Sequence, residues 1–149
     1  MKKLALSLFC LFAPLAHADS ALTEDNIRAL YDEMTVAASQ RDIDGVLGLM
    51  SDDVSIRISA AKGSIELDAA KYRQLLQQGW GGLDSYSMAV AIEQIDIAAD
   101  GQSATVKDTT TETMSMRGHE MTAGMQETAN LRLIDGEPKI TRIEAQIKP

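Results

Sequence analysis

From Ser103 to Leu133 the chain alternates between two kinds of position with a period of two, interrupted only at Met116-Arg117-Gly118-His119. Successive side chains of a β-strand leave opposite faces of a sheet, so this stretch predicts two long strands folded back on each other at that point. Val106, Asp108, Thr110, Glu112, Met114 and Met116 share one face of the first strand, and Thr105, Lys107, Thr109, Thr111, Thr113 and Ser115 share the other. The apolar set of the returning strand is Met121, Ala123, Met125, Glu127, Ala129, Leu131 and Leu133. Three carboxylates, Asp108, Glu112 and Glu127, therefore fall on the apolar side.

The period changes upstream. Thr23 is placed to cap a helix with Glu24 and Asp25 in its first turn, and Ile27, Leu30, Tyr31, Met34 and Ala38 follow at helical spacing to about Arg41. Asp42 can cap a shorter helix in which Ile43, Val46, Leu47 and Met50 share a face, with Ser51-Asp52-Asp53 as its stop. A strand follows, with Val54, Ile56 and Ile58 inward and Ser55 and Arg57 outward, then a short extended piece at Ile65 to Leu67. Asp68 caps a third helix whose buried side is Tyr72, Leu75 and Leu76, with Gly79 as its stop. From Ser85 the chain reads as strand, turning at Asp100-Gly101, Arg117-Gly118 and Asp135-Gly136. Four strands of about ten residues or more, against a usual five or six, predict a sheet that curls around something. The inward set shifts parity between Met88, Val90 and Ile92 and Ile95 and Ile97, which places a β-bulge at Glu93-Gln94.

Residues 1–18 read as an export signal: Lys2 and Lys3, an apolar run from Leu4 to Phe12, then Ala16-His17-Ala18 ahead of Asp19. The run is far shorter than the roughly 20 residues of a membrane-spanning helix. Cleavage would leave residues 19–149 as one domain without a cysteine, since Cys10 lies in the leader. The expected location is the periplasm or the exterior, where such a fold must hold by packing alone. Without Lys2 and Lys3 there are 12 basic against 22 acidic residues, a net charge near −10. With no basic stripe to interrupt it, that surface disfavours nucleic acid and anionic membranes as partners.

The order of elements resembles the nuclear transport factor 2-like superfamily, including its polyketide-cyclase-like and ketosteroid-isomerase-like branch. The local match is strongest over Ala29 to Ile58, "ALYDEMTVAASQRDIDGVLGLMSDDVSIRI", with a tyrosine-bearing helix, an Arg-Asp break at Arg41-Asp42 and Asp52-Asp53 before the first strand. The chain departs from the related pattern after the Asp135-Gly136 turn, where Pro138 stands near the place of a frequent tryptophan. The resemblance implies an α+β fold, a cone-shaped curved antiparallel sheet packed against three N-terminal helices, with an apolar cavity between the layers and a homodimer formed through the sheet. That superfamily includes isomerases, dehydratases, epoxide hydrolases and ligand carriers, so the fold alone selects no reaction.

The central hairpin limits the possible chemistry. A two-residue loop at Arg117-Gly118 sets Asp108 opposite Glu127, Glu112 opposite Ala123, Met114 opposite Met121 and Met116 opposite His119. A four-residue loop sets Glu127 opposite Thr110 instead, diagonal to Asp108 and Glu112. A three-residue loop without a bulge would turn the apolar faces against each other. Both surviving registers cluster the acids, and on a half-buried face one of two opposed carboxyls holds its proton to higher pH, as acid/base catalysis requires. Asp108 and Glu127, with Glu112, are thus candidate catalytic residues, and Tyr31, Tyr72 and Trp80 are candidate positioning groups. The bland alternative is a wet sheet mouth or an interface in which the acids are solvated or neutralised.

The expected cavity lining is Tyr31, Met34, Tyr72, Trp80, Met114 and Met125. Met114, Met116, His119 and Met121 at the hairpin tip form a softer alternative, a Cu(I) site, although methionine is the usual filler of irregular cavities. His119 is the only histidine after cleavage, and no Ser-His-Asp or Cys-His arrangement is visible. Gly79, Gly81 and Gly82 lack a Walker lysine or dinucleotide spacing, and no cofactor is expected. The leading expectation is an exported domain that binds a small apolar molecule, with an acid/base enzyme of isomerase, dehydratase or hydratase type as the alternative.

Overall fold

The computed structural model describes residues 20–149, so the expected export signal and Cys10 lie outside the described residues. The first helix, α1 (Glu24–Ser39), starts at a capping box: Thr23 accepts from the Asn26 backbone, and the Asn26 side chain accepts from the Thr23 backbone. It buries Ile27, Leu30, Tyr31, Met34 and Ala38. Arg41 ends this segment in the left-handed region at φ 57°, and its guanidinium donates to the Leu83 carbonyl at 2.8 Å. Asp42 then caps α2 (Ile43–Gly48) through Gly45. The Arg-Asp break is therefore a positive-φ turn joined directly to a cap.

Two helix ends differ from expectation. Met50 is not on α2 but opens β1 (Met50–Ala60), and Ser51-Asp52-Asp53 is strand. The reason is the last strand, β6 (Glu137–Ile147): its Ile140 N–H donates to the Leu49 carbonyl, Lys139 Nζ donates to the Gly48 carbonyl, and Met50 pairs with Ile140. In α3 (Ala69–Trp80), capped by Asp68, Gly79 lies inside the last turn and Gly81 is the C-cap. Trp80 carries the helix one residue further because its ring is the helix's buried anchor. Leu75, expected inward, is 37% exposed, although it still borders the cavity.

The remaining strands are β2 (Gly63–Leu67), β3 (Ser85–Ile97), β4 (Ser103–Met116) and β5 (His119–Ile134). One six-stranded sheet results, in the order β2-β1-β6-β5-β4-β3. Every neighbouring pair is antiparallel except β1 with β6, which run parallel. Parallel neighbours need a long crossover, and here the whole segment from β2 to β5 serves as one. The bulge expected near Glu93 is present, since Ile92 pairs with Asp108 while Gln94 pairs with Lys107. A second register shift lies between Asn130 and Leu131, and a third between Met50 and Ser55. Bulges strengthen local twist and bend the strand. They curve the sheet around the helices, which cover its concave face.

The Arg117-Gly118 and Asp135-Gly136 turns are two-residue loops with both central residues at positive φ, 52° and 77° in the first and 52° and 80° in the second. This is the type that matches strand twist. The Asp100-Gly101 turn is longer, because β3 ends at Ile97 and β4 begins at Ser103, which leaves residues 98–102 between them. Gly101 has φ 68°, a Cβ on it would stand 2.9 Å from the Ala21 Cβ, and its carbonyl accepts from the buried Leu22 at 2.8 Å. Gly101→Ala should therefore cost about 1–2 kcal/mol in urea unfolding, from the left-handed backbone and the displaced N-terminal segment together. A loss no larger than a few tenths would show that this contact yields freely. No helix among the described residues is long and apolar enough to cross a membrane.

Candidate functional site

Between the helices and the concave face of the sheet lies a cavity of about 310 Å³, at the small end of the roughly 300–1,000 Å³ of small-molecule sites. Ile56, Ile58, Val90, Ile140 and Ile143 make its apolar floor; Met34, Leu76 and Trp80 reach it from the helices. Its polar atoms come from few residues: Tyr31, Tyr72, Tyr86, Thr110, Glu112 and Glu127. Among the described residues no lysine, arginine or histidine lines it.

The hairpin adopts the two-residue register, with Asp108 opposite Glu127, Glu112 opposite Ala123, Met114 opposite Met121 and Met116 opposite His119. The four-residue alternative is excluded. Asp108 is 1% exposed and accepts from the Thr110 hydroxyl at 3.1 Å through Oδ1. Tyr31 hangs from α1 beside it, yet Tyr31 Oη and Asp108 Oδ2 are both buried without a hydrogen-bond partner. Glu127 lies next to Asp108 across the strands and faces the cavity. Glu112 accepts from the Tyr86 hydroxyl at 2.5 Å, and the Tyr86 ring packs on Trp80 with centroids 5.3 Å apart at 54°.

Burial dominates the acid/base behaviour of these groups. It pushes Asp108 up to about 6, against the lowering effect of the Thr110 hydroxyl and nearby Tyr31, while Glu93 adds to the rise. Burial also pushes Glu127 up to about 8, aided by the negative charges of Asp108 and Glu112. Both acids therefore hold their protons to higher pH than exposed carboxyls do. All three phenols are driven upward, in each case first by burial: Tyr31 then by Asp108, Tyr72 then by Glu127, and Tyr86 then by its bond to Glu112. They remain neutral donors throughout the ordinary pH range. The ion pairs found among the described residues are on the surface, and Arg57 pairs outward with Glu66 at 3.8 Å. No cation among the described residues neutralises the acids.

The expected residues Tyr31, Met34, Tyr72, Trp80, Met114, Met125, Glu112 and Glu127 all line the cavity. Asp108 does not: it lies behind the wall and reaches the cavity through its neighbours Tyr31, Thr110 and Glu127. Met116 and Met121 are 42% and 47% exposed at the hairpin tip with the exposed His119, whereas Met114 faces the cavity. The tip therefore divides between solvent and cavity. Among the described residues no three His, Cys, Asp or Glu side chains are placed to hold a metal. Sequence reasoning missed Tyr86 and Thr110. Both share the inward parity already assigned to their strands, which was the available signal.

A bent sheet whose concave side is closed by three helices is the α+β cone of the nuclear transport factor 2-like class. Residues 27–145 match the SnoaL-like domain, and the chain belongs to that family. No curated protein matches it. Among solved structures it is similar to a conserved protein from Planctomyces limnophilus, with TM-score 0.73 and 18% identity over 85% of this chain and 96% of that one. It is similar to a putative scytalone dehydratase from Novosphingobium aromaticivorans, with TM-score 0.72 and 14% identity over 84% of this chain and 83% of that one. A ketosteroid isomerase-like protein from Erwinia carotovora atroseptica gives TM-score 0.67 and 20% identity over 84% and 96%. At such identities the likeness speaks to the fold alone.

Proposed function

We propose that the protein binds a small, largely apolar molecule between helices and sheet. The observation that carries this reading is the cavity of about 310 Å³, apolar over most of its wall with polar groups at a few converging points. Native mass spectrometry of the protein purified from its own host should show a retained small molecule. Met125→Trp, which puts a large ring into the cavity, should eject it. A retained mass that is unchanged in this variant would place the molecule elsewhere.

The acid pair favours a second reading, proton transfer on the bound molecule. Buried carboxyls without a neutralising base are costly to maintain, and acids so perturbed beside a cavity are groups from which proton transfer can be run. In this reading Glu127 is the catalytic residue because it faces the cavity, and Asp108 positions it and sets its proton affinity. The dehydratase and isomerase-like names among the structural neighbours are compatible with it. Glu127→Gln should lower turnover by on the order of 10²-fold or more. Asp108→Asn removes a charge that raises Glu127, so it should shift the pH profile of the remaining activity downward. A profile that stays in place would separate Asp108 from the chemistry. The reading extends to an exported homodimer, supported by the leader at residues 1–18 and by the threonine-rich outer face of β4.

A further inference from the structure

We propose that the cavity selects an organic cation, an ammonium group on a small apolar body, over neutral or anionic molecules of the same shape. The inference rests on the reading of the cavity as a binding site and adds the chemical class of what it takes.

Charge is the first argument. Glu112 and Glu127 stand in the wall with Asp108 behind them, and among the described residues no basic group lines the cavity; Arg57 and Lys107 border a separate polar groove that Asp108 and Glu127 also reach, and neither forms an ion pair with them. A buried charge left without a counter-charge is unfavourable, so the pocket is incomplete electrostatically in a way that a bound cation repairs. An anion would meet three acids in a low-dielectric enclosure.

The second argument is the direction of the hydrogen-bonding groups. Tyr86 gives its proton to Glu112, which leaves its oxygen lone pairs as acceptors. Tyr31 Oη and Asp108 Oδ2 lie near each other, both buried and both without a partner. If Tyr31 turns its proton to Asp108, its oxygen too presents only acceptors. Phenol oxygens that give their protons to carboxylates suit a ligand that donates or carries positive charge.

The third argument is the aromatic wall. Tyr31, Tyr72, Trp80 and Tyr86 surround the same space as the acids, and ring faces attract ammonium groups. The combination of rings and carboxyls, with no base, has no equivalent advantage for a neutral hydrocarbon.

A fixed cation also competes with the proton on Glu127. The groups that face Glu127 are Asp108 and Glu112 from β4, Tyr31 from α1 and Tyr72 from α3, while β6 places Ala145 opposite it. From the outer side Arg57, Lys107, Glu93 and Glu144 border a polar groove that Asp108 and Glu127 also line. Binding a permanent cation should release a proton below about pH 8 and strengthen as the pH rises.

The test is titration of the purified protein, followed by Trp80 fluorescence, with benzyltrimethylammonium, its uncharged isostere neopentylbenzene and the anion phenylacetate. The cation should bind about tenfold or more tighter than neopentylbenzene near pH 8.5, and phenylacetate should not bind. Its affinity should fall about tenfold or more by pH 6, and Glu127→Gln should flatten that dependence. Neopentylbenzene binding as tightly as the cation, or a cation affinity indifferent to pH in the unaltered protein, overturns the cation inference and leaves the cavity reading standing. If none of the three binds, the cavity reading falls and the inference falls with it.

Discussion

Raising the pH from about 5 to about 9 should lower the unfolding free energy by roughly 3 kcal/mol through Asp108 and Glu127, with each unit of pKa shift worth about 1.4 kcal/mol. Both acids titrate higher in the fold than in an unfolded chain, at about 6 and about 8 against 3.8 and 4.5. The folded state therefore holds protons that the unfolded state has already released. Stability falls with pH wherever the native state binds more protons, so the contribution is fully present below about pH 4 and is lost as the pH passes about 8. Glu127 borders a cavity that water can enter, which moderates the loss. Urea unfolding at several pH values, run beside Glu127→Gln, isolates the effect. The variant keeps the shape of the side chain and removes its ionisation, so it should show a much flatter profile and exceed the unaltered protein in stability near pH 9. Parallel profiles for the two proteins would mean that Glu127 is not held protonated by the fold.

Replacing Trp80 by alanine should cost about 3 kcal/mol or more. The ring is 9% exposed, closes the cavity from the end of α3 and packs on Tyr86. Removal of a buried aromatic leaves a void that the surroundings refill only in part, at about 3–5 kcal/mol in well-packed sites. Tyr86 would also lose the neighbour that holds its hydroxyl on Glu112. Since Trp80 is the only tryptophan, circular dichroism is the measure to use, and the melting temperature should fall by about 10 °C. Trp80→Phe should recover much of the loss and Tyr72→Ala should not mimic it, because Tyr72 has no comparable stacked partner. A drop below about 1 kcal/mol would show the ring to be a loose cover.

The sequence by itself determined what depends on near neighbours along the chain. Thr23, Asp42 and Asp68 cap the three helices as their side chains dictate. The two-residue period put Asp108, Glu112 and Glu127 inward, and the parity change at Glu93 located the bulge. At Arg117-Gly118 the same rules left two registers, because turn residues permit more than one loop length; the tertiary structure admits the one that pairs Asp108 with Glu127. Other features depend on partners distant in the chain. β6 captures the carbonyls of Gly48 and Leu49 and so begins β1 at Met50, a contact across about 90 residues that no local pattern records. Tyr31 meets Asp108 only because α1 lies across the concave face, and its angle there is set by packing of Ile27, Leu30 and Met34. The absence of a neutralising base from the cavity wall, among the described residues, is likewise a property of the assembled layers. Parity identified the acids of the central hairpin; the layers around them left those acids unpaired, and that is what gives the site its charge.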